Sequence, residues 1–254
     1  MSLTTQIEQS LKQLAEETEQ AKQSQFFKQY LATMSKFWDY SCRNQLLIHL
    51  QSPNATKVAG YHRWKQLKRT VKKGETGIKI LAPIIRTINN EEEISAFRPA
   101  TVFDVSQTEG EPLIEIDIDI KGNDRQDILN KLIQYCAKLS VKLEFKTLSD
   151  GLYGYNSNGL IAINSAKSVN TQASTLIHEI AHELLHKNSN PSSRQQREIQ
   201  AEAVAYAVSN CLGIQSKGFN YLALYDADYK KIMENLALIS EASKKIMSEI
   251  RETA

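Results

Sequence analysis

The sequence predicts an α+β protein built as two domains, residues 1–118 and 119–254. Three observations carry that expectation. The chain has 254 residues, enough for two domains of ordinary size. Its first half reads as helices followed by short strands, the order of an α+β unit. Near the middle, "LIEIDIDIKGND" runs alternating charge into a Gly-Asn-Asp turn signal, which reads as a seam.

The elements follow in order. Ile7, Leu11 and Leu14 recur at helical spacing with no Gly or Pro before Pro53. A second helix is expected from about Gln25 to His49, with Phe27, Tyr30, Leu31, Met34, Trp38 and Leu46 sharing a face, and "QSPNAT" ends it. "GYHRWKQL" reads as a short helix, "VKKGETG" as a turn, and "IKILAPII" and "ATVFDV" as strands closing the first domain near Pro112. In the second domain "DRQDILNKLIQYCAKL" is an amphipathic helix and "VKLEFKTL" an alternating strand. "GLYGYNSNGLIAIN" reads as a hairpin, because Asn158-Gly159 tolerates positive φ. Three helices complete the chain: one around "TLIHEIAHELLH", one from about Arg194 to Cys211, and one from about Asp228 to Glu252.

The net charge of +2 hides local asymmetry. Lys57 to Lys79 holds eight Lys and Arg against Glu75 alone, whereas Glu109 to Asp119 holds five acids and no base. The first reads as a surface for a polyanion, the second as a solvated edge or linker. Cys42, Cys136 and Cys211 are far apart and in no CxxC spacing, as expected of small hydrophobes in a reducing compartment. The polar start is no signal peptide and no apolar run approaches the ~18 residues of a membrane helix, so the expected location is cytoplasmic, with no membrane partner.

"TLIHEIAHELLH" places His178, His182 and His186 four residues apart. On a helix, residues four apart lie ~40° and ~6 Å from one another, so neighbouring imidazoles can meet one ion. His186 lies ~12 Å along the axis from His178, so the three cannot share it. Two HExxH readings overlap, His178 to His182 and His182 to His186. Leu176, Ile177, Ile180 and Ala181 make the earlier register part of a buried helix, while "KNSNPSS" leaves the later one at an exposed end. The earlier register is therefore expected to bind the metal, with His186 serving the last carbonyls or the helix dipole.

The extended HExxHxxGxxH form fails, since Leu185 is not Gly and Asn188 is not His. A carboxylate is then the expected third ligand to Zn2+. "REIQAEAVAYAV" offers Glu198 and Glu202; one can bind the ion while the other orients His178 through its second ring nitrogen. Ala201, Ala203 and Ala205 fit close packing of that helix on the histidine helix. Glu179 is expected to activate water and carry its proton to a leaving amine. Leu160 to Asn164 is expected as an edge strand for an extended peptide, and Tyr153, Tyr155 and Tyr206 as candidate donors to the tetrahedral intermediate.

The basic stretch interleaves Lys57, Arg63, Lys65, Lys68, Arg69, Lys72 and Lys73 with Tyr61, His62 and Trp64. Cations track a phosphate backbone and aromatic faces stack on unpaired bases, which predicts a single-stranded nucleic acid as partner.

Across these segments the chain resembles a known family. "FWDYSCRNQLLIHLQSPNATKVAGYHRWKQLKRTVKKGETGIKILAPI" with "VFDVSQTEG" resembles the N-terminal domain of ArdC-type antirestriction proteins, notably in the Asn44-Gln45-Leu46-Leu47 run, the Lys-Lys-Gly turn and the Phe103-Asp104-Val105 block. "TLIHEIAHELLH" with "REIQAEAVAYAVSNCLGI" looks like that family's zincin domain, related to the ImmA/IrrE metallopeptidases. The resemblance implies a domain binding single-stranded DNA, a zinc peptidase-like domain, and carriage on mobile elements whose incoming DNA such proteins shield from restriction. It implies His178 and His182 as ligands, Glu179 as the catalytic glutamate, and Glu198 or Glu202 as third ligand. Glu198 is the choice by analogy with zinc peptidases whose ligand glutamate precedes a second acid by four residues. A protein substrate or restriction-system target is the implied second partner. The alternative is a non-proteolytic DNA-binding antirestriction module whose zincin domain is structural or binds a partner.

Overall fold

The computed structural model describes residues 2–16, 20–88, 91–112, 125–149, 151–157, 159–187, 193–214 and 229–252. Its first helices, α1 (Leu3–Glu16) and α2 (Gln20–Lys36), bury Ile7, Leu11, Phe27, Tyr30, Leu31 and Met34, the expected apolar stripe. The single helix expected from Gln25 to His49 is instead two. It stops after Lys36, and α3 (Cys42–Gln51) starts afresh. Ser41 caps the new helix by accepting the Asn44 N–H. The buried amide of Gln45 donates to the carbonyls of Phe37 and Tyr40, at 3.0 and 3.1 Å, satisfying groups that have left the helical ladder.

A three-stranded antiparallel sheet follows, in the order β1 (Val58–Gly60), β4 (Glu91–Asp104), β3 (Ile78–Ile88). β3 and β4 extend well past "IKILAPII" and "ATVFDV", because cross-strand pairing carries on to Ile88 and Glu91. Between β1 and β3 lie the short helix α4 (Tyr61–Gln66) and β2 (Arg69–Val71), which pairs with β5 (Thr108–Gly110). β3 is an edge strand, and α3 covers part of that edge with side-chain amides. Asn44 accepts from and donates to the backbone of Leu81 at 2.8 and 2.9 Å, and Gln51 does the same for Lys79 at 2.9 and 2.8 Å. Two residues further along stands Pro83, which has no N–H to expose.

His49 sits buried near the end of α3, its Nδ1 3.0 Å from the Thr33 hydroxyl and its ring against Phe26 and Tyr30. Burial pushes its pKa down to about 4. The unfolded chain therefore takes up this proton first as pH falls below the ordinary value near 6.5. Stability from neutral His49 is complete above about pH 6.5 and is lost progressively towards pH 4, by up to about 3 kcal/mol. Denaturant midpoints measured across that window are expected to fall less steeply in His49→Gln than in the parent.

The second half places α5 (Gln126–Lys138) against a sheet ordered β6 (Lys142–Lys146), β8 (Leu160–Asn164), β7 (Gly154–Ser157). β7 and β8 form the expected hairpin, with Gly159 at φ +78°; Asn158 lies outside the described residues. The expectation that Leu160 to Asn164 forms an edge is corrected. β6 pairs parallel to β8 and makes it the central strand, which leaves β6 and β7 as the two edges. Three helices close the fold: α6 (Val169–His186), α7 (Arg194–Cys211) and α8 (Tyr229–Glu252). The acidic seam 113–124 and the expected boundary at 118/119 lie outside the described residues.

One core spans both halves. Ile7, Leu31, Met34 and Leu46 belong to the same buried cluster as Leu132, Ile177, Val204, Leu236 and Ile246. Gln45 again contributes, accepting from Tyr30 at 3.2 Å and from Ser240 of α8 at 2.9 Å. Cys42 and Cys136 are buried, and burial raises their thiols to about 11 and about 12, so both are packing residues rather than nucleophiles. Among the described residues no helix is long and apolar enough to cross a membrane.

Candidate metal centre

α6 begins at Ser168, whose hydroxyl accepts the Thr171 N–H. Ala173, Leu176, Ile177, Ile180 and Ala181 anchor it in the core. α7 packs on it, and its buried Ala201 and Ala205, which share the face of Glu198 and Glu202, are small side chains that let the two backbones approach. On the other side Gly154 of β7 does the same. A Cβ there would lie 2.7 Å from the Thr175 methyl and 2.9 Å from the Ala162 carbonyl oxygen.

This packing turns three donors inward. His178 Nε2 and His182 Nε2 are 3.1 Å apart, and each is 3.5 Å from Glu198 Oε2. A tetrahedral zinc with bonds of ~2.0–2.1 Å needs donors about 3.3 Å apart, so the set is the right size for that ion. Among the described residues His178, His182 and Glu198 are a group whose ligand atoms can meet one metal. His178 Nδ1 faces Glu202 Oε2 at 3.5 Å, the arrangement expected of an orienting carboxylate. The earlier HExxH register is thus the one that has a carboxylate beside its two imidazoles.

Electrostatics favours a cation at this point. Burial lowers the His178 pKa, but its hydrogen bond to Glu198 and the charges of Glu179, Glu202 and Glu198 outweigh burial and raise it overall. The imidazoles of His178 and His182, each with Nε2 3.5 Å from Oε2, hold the Glu198 carboxyl well below the usual carboxylate range. Glu179 is buried, and burial lifts its pKa; His178 and His182 oppose the shift and Glu198 adds to it.

His186 is the last residue of α6, as expected, and its ring meets side chains of α6 and α7. Its Nδ1 lies 3.1 Å from His182 Nδ1 and its Nε2 2.9 Å from Gln200 Oε1. Gln200 in turn meets Asn235 of α8. Neither Gln200 nor Asn235 stands out in the sequence, because only the packing of α8 on α7 brings them to the site.

Two cavities flank the donors. The larger, about 710 Å³, is lined by Tyr155, Asn156, Glu179, Glu183, Arg194 and Arg197 among others. The smaller, about 370 Å³, reaches Tyr153, Ser174, Glu202 and Tyr206. Both include Gly154, His178, Glu179 and Glu198. Asn156 ties β7 to α6 by donating to the Glu179 carbonyl at 3.2 Å.

The basic stretch is divided by the fold. Lys57, Tyr61, His62, Arg63, Lys65, Lys68, Lys72 and Lys73 are exposed. Trp64 is corrected: it is 2% exposed and its indole donates to the Phe103 carbonyl at 2.9 Å, so its ring cannot stack on a base. In a helix this short, one side chain must hold the helix to the sheet, and Trp64 does so. Arg69 is committed as well. It donates to the Thr108 hydroxyl at 2.8 Å, to the Thr108 carbonyl at 3.1 Å and to the carbonyls of Gly110 and Glu111, clasping β2 to β5.

Two family models match the chain. The N-terminal domain of anti-restriction factor ArdC matches residues 1–117, and the IrrE N-terminal-like domain matches residues 136–237. The metal-free crystal structure of the antirestriction ArdC protein from the R388 plasmid superposes with a TM-score of 0.54 at 23% identity, covering 84% of each chain. The Mn(II)-bound structure of that protein gives 0.53 at 22% identity, again over 84% of each chain. No curated protein sequence matches.

Proposed function

The chain joins an ArdC-type N-terminal domain to an IrrE N-terminal-like domain of a peptidase family, and on that premise we propose an antirestriction protein of a mobile element that binds single-stranded DNA and hydrolyses peptide bonds with a divalent metal. The observation that carries the reading is the convergence of His178, His182 and Glu198 beside buried Glu179 in a cleft edged by β7. His178, His182 and Glu198 would hold the ion, zinc by donor chemistry, with manganese supported by the Mn(II)-bound relative. The ion would supply Lewis-acid polarisation of a substrate carbonyl.

The chain's own residues do the rest. Among the described residues no strand pairs with the outer edge of β7, on which an extended peptide can lie as a further strand. Glu179 takes a proton from the attacking water and delivers it to the leaving amine, a role suited to a carboxylate whose burial raises its basicity. Tyr153 and Tyr206, which line the smaller cavity, are the candidate hydroxyl donors to the developing charge, whereas Tyr155 lies on the face of β7 opposite Asn156, against Lys146, and does not fill that role. On the other half, exposed Lys65, Lys68, Lys72 and Lys73 follow the phosphates, and Tyr61 and His62 replace Trp64 as stacking groups.

Metal analysis tests the reading. Protein purified without chelator is expected to carry about one zinc or manganese ion per chain, and His182→Ala to lose it. Parent protein with no divalent ion after zinc is supplied would overturn the assignment. A second reading is favoured by the continuous core: the C-terminal half serves as a scaffold for the DNA-binding half and cleaves nothing.

A further inference from the structure

A line of side chains connects His182 to α8, and its hydrogen bonds run in one direction. It ends on the backbone carbonyl of Lys231, which only accepts. Asn235 Nδ2 donates to that oxygen at 2.8 Å, which turns Asn235 Oδ1 towards α7. There Oδ1 accepts from Gln200 Nε2, and from Gln196 Nε2 at 3.4 Å. With its amide nitrogen committed, Gln200 presents Oε1 to His186 Nε2 at 2.9 Å. An amide oxygen only accepts, so Nε2 of His186 carries the proton. Neutral His186 then has its lone pair on Nδ1, 3.1 Å from His182 Nδ1. His182 must donate from Nδ1, and its own lone pair falls on Nε2, the atom 3.1 Å from His178 Nε2 and 3.5 Å from Glu198 Oε2.

We propose that His186, Gln200 and Asn235 are positioning residues that fix His182 as its Nδ1–H tautomer and so keep Nε2 ready for the metal. The proposal rests on the metal-binding reading above, but the tautomer it assigns belongs to the metal-free chain. Gln200 and Asn235 are 5% and 6% exposed, so turning either amide over would strand buried donors and acceptors. Burial lends the line its direction. His178 is oriented differently, through the carboxylate of Glu202. A second orienting acid would add charge to a site that already holds Glu179, Glu198 and Glu202. The neutral line orients His182 without adding any. The overlap of two HExxH motifs acquires a reason here: the second histidine of the later motif aims the shared one.

Nitrogen-15 spectra of histidine-labelled, metal-free protein read the tautomers directly. His182 is expected as Nδ1–H and His186 as Nε2–H. Gln200→Leu and His186→Leu are expected to let His182 populate both tautomers and to weaken zinc binding about 10–100-fold. His186→Asn, whose side-chain oxygen can accept near the position of Nδ1, is expected to restore most of that affinity. Finding His182 as Nε2–H in the parent overturns the proposal. So does a loss of affinity in the leucine variants that follows thermal stability alone, with no change of tautomer and no rescue by asparagine. The parent spectrum decides even if a variant fails to fold. A parent with these tautomers that binds no zinc overturns the metal reading and leaves the relay standing.

Discussion

Glu179→Gln is expected to keep the metal and lose about 10²–10⁴-fold in peptide hydrolysis. The substituted side chain has nearly the same shape, and Glu179 is not among the three residues whose ligand atoms converge. What disappears is the group that accepts a proton and later returns it. Metal content measured on the same preparation checks that the ion is retained. Protection of incoming DNA measured with the variant separates the two readings of the C-terminal half. If protection survives while hydrolysis is lost, the scaffold reading stands.

The second large effect concerns the basic face. Neutralising Lys65, Lys68, Lys72 and Lys73 together is expected to weaken single-strand binding and to make the dependence of log affinity on log salt shallower by about 2–3, near 0.7 for each phosphate that is no longer neutralised. Folding stability should change little, because these side chains are exposed; the Lys68–Glu111 pair, 3.2 Å apart at the surface, contributes at most about 1 kcal/mol. Arg69→Gln is expected to behave in the opposite way. It removes the clasp between β2 and β5 and costs about 1–3 kcal/mol of stability. A titration series in salt, run beside denaturant melts, distinguishes the two classes. An unchanged salt slope in the lysine variant would remove this face from the binding surface.

The contrast between Lys68 and Arg69 shows what the sequence could reveal. Helical spacing put His178 and His182 on one face of α6, and the four-residue step from Glu198 to Glu202 put two acids on one face of α7. Both are local periodicities, and they survive any arrangement of the rest. The features that escaped sequence reading depend on distant partners. Trp64 is a core residue because Phe103 lies beside it, and the central position of β8 depends on β6, which is more than a dozen residues away. The break between α2 and α3 had a local signal in Ser41, but Phe37, Trp38 and Tyr40 continue the apolar pattern across it. His186 was visible as a residue and not as a role, since its meaning comes from Gln200 and Asn235.

Gln45 and the interior it helps to close have a consequence for inheritance. Two family models describe this chain as successive units, 1–117 and 136–237, of the kind that recombination is expected to shuffle. Yet α2 packs on α7, and Gln45 accepts a hydrogen bond from Ser240. A hybrid that took its second half from a relative would inherit a foreign surface where α2 and α3 expect their own, with a buried amide left facing the wrong residue. Such a hybrid is expected to fold stably only where both sides of this interior come from one parent.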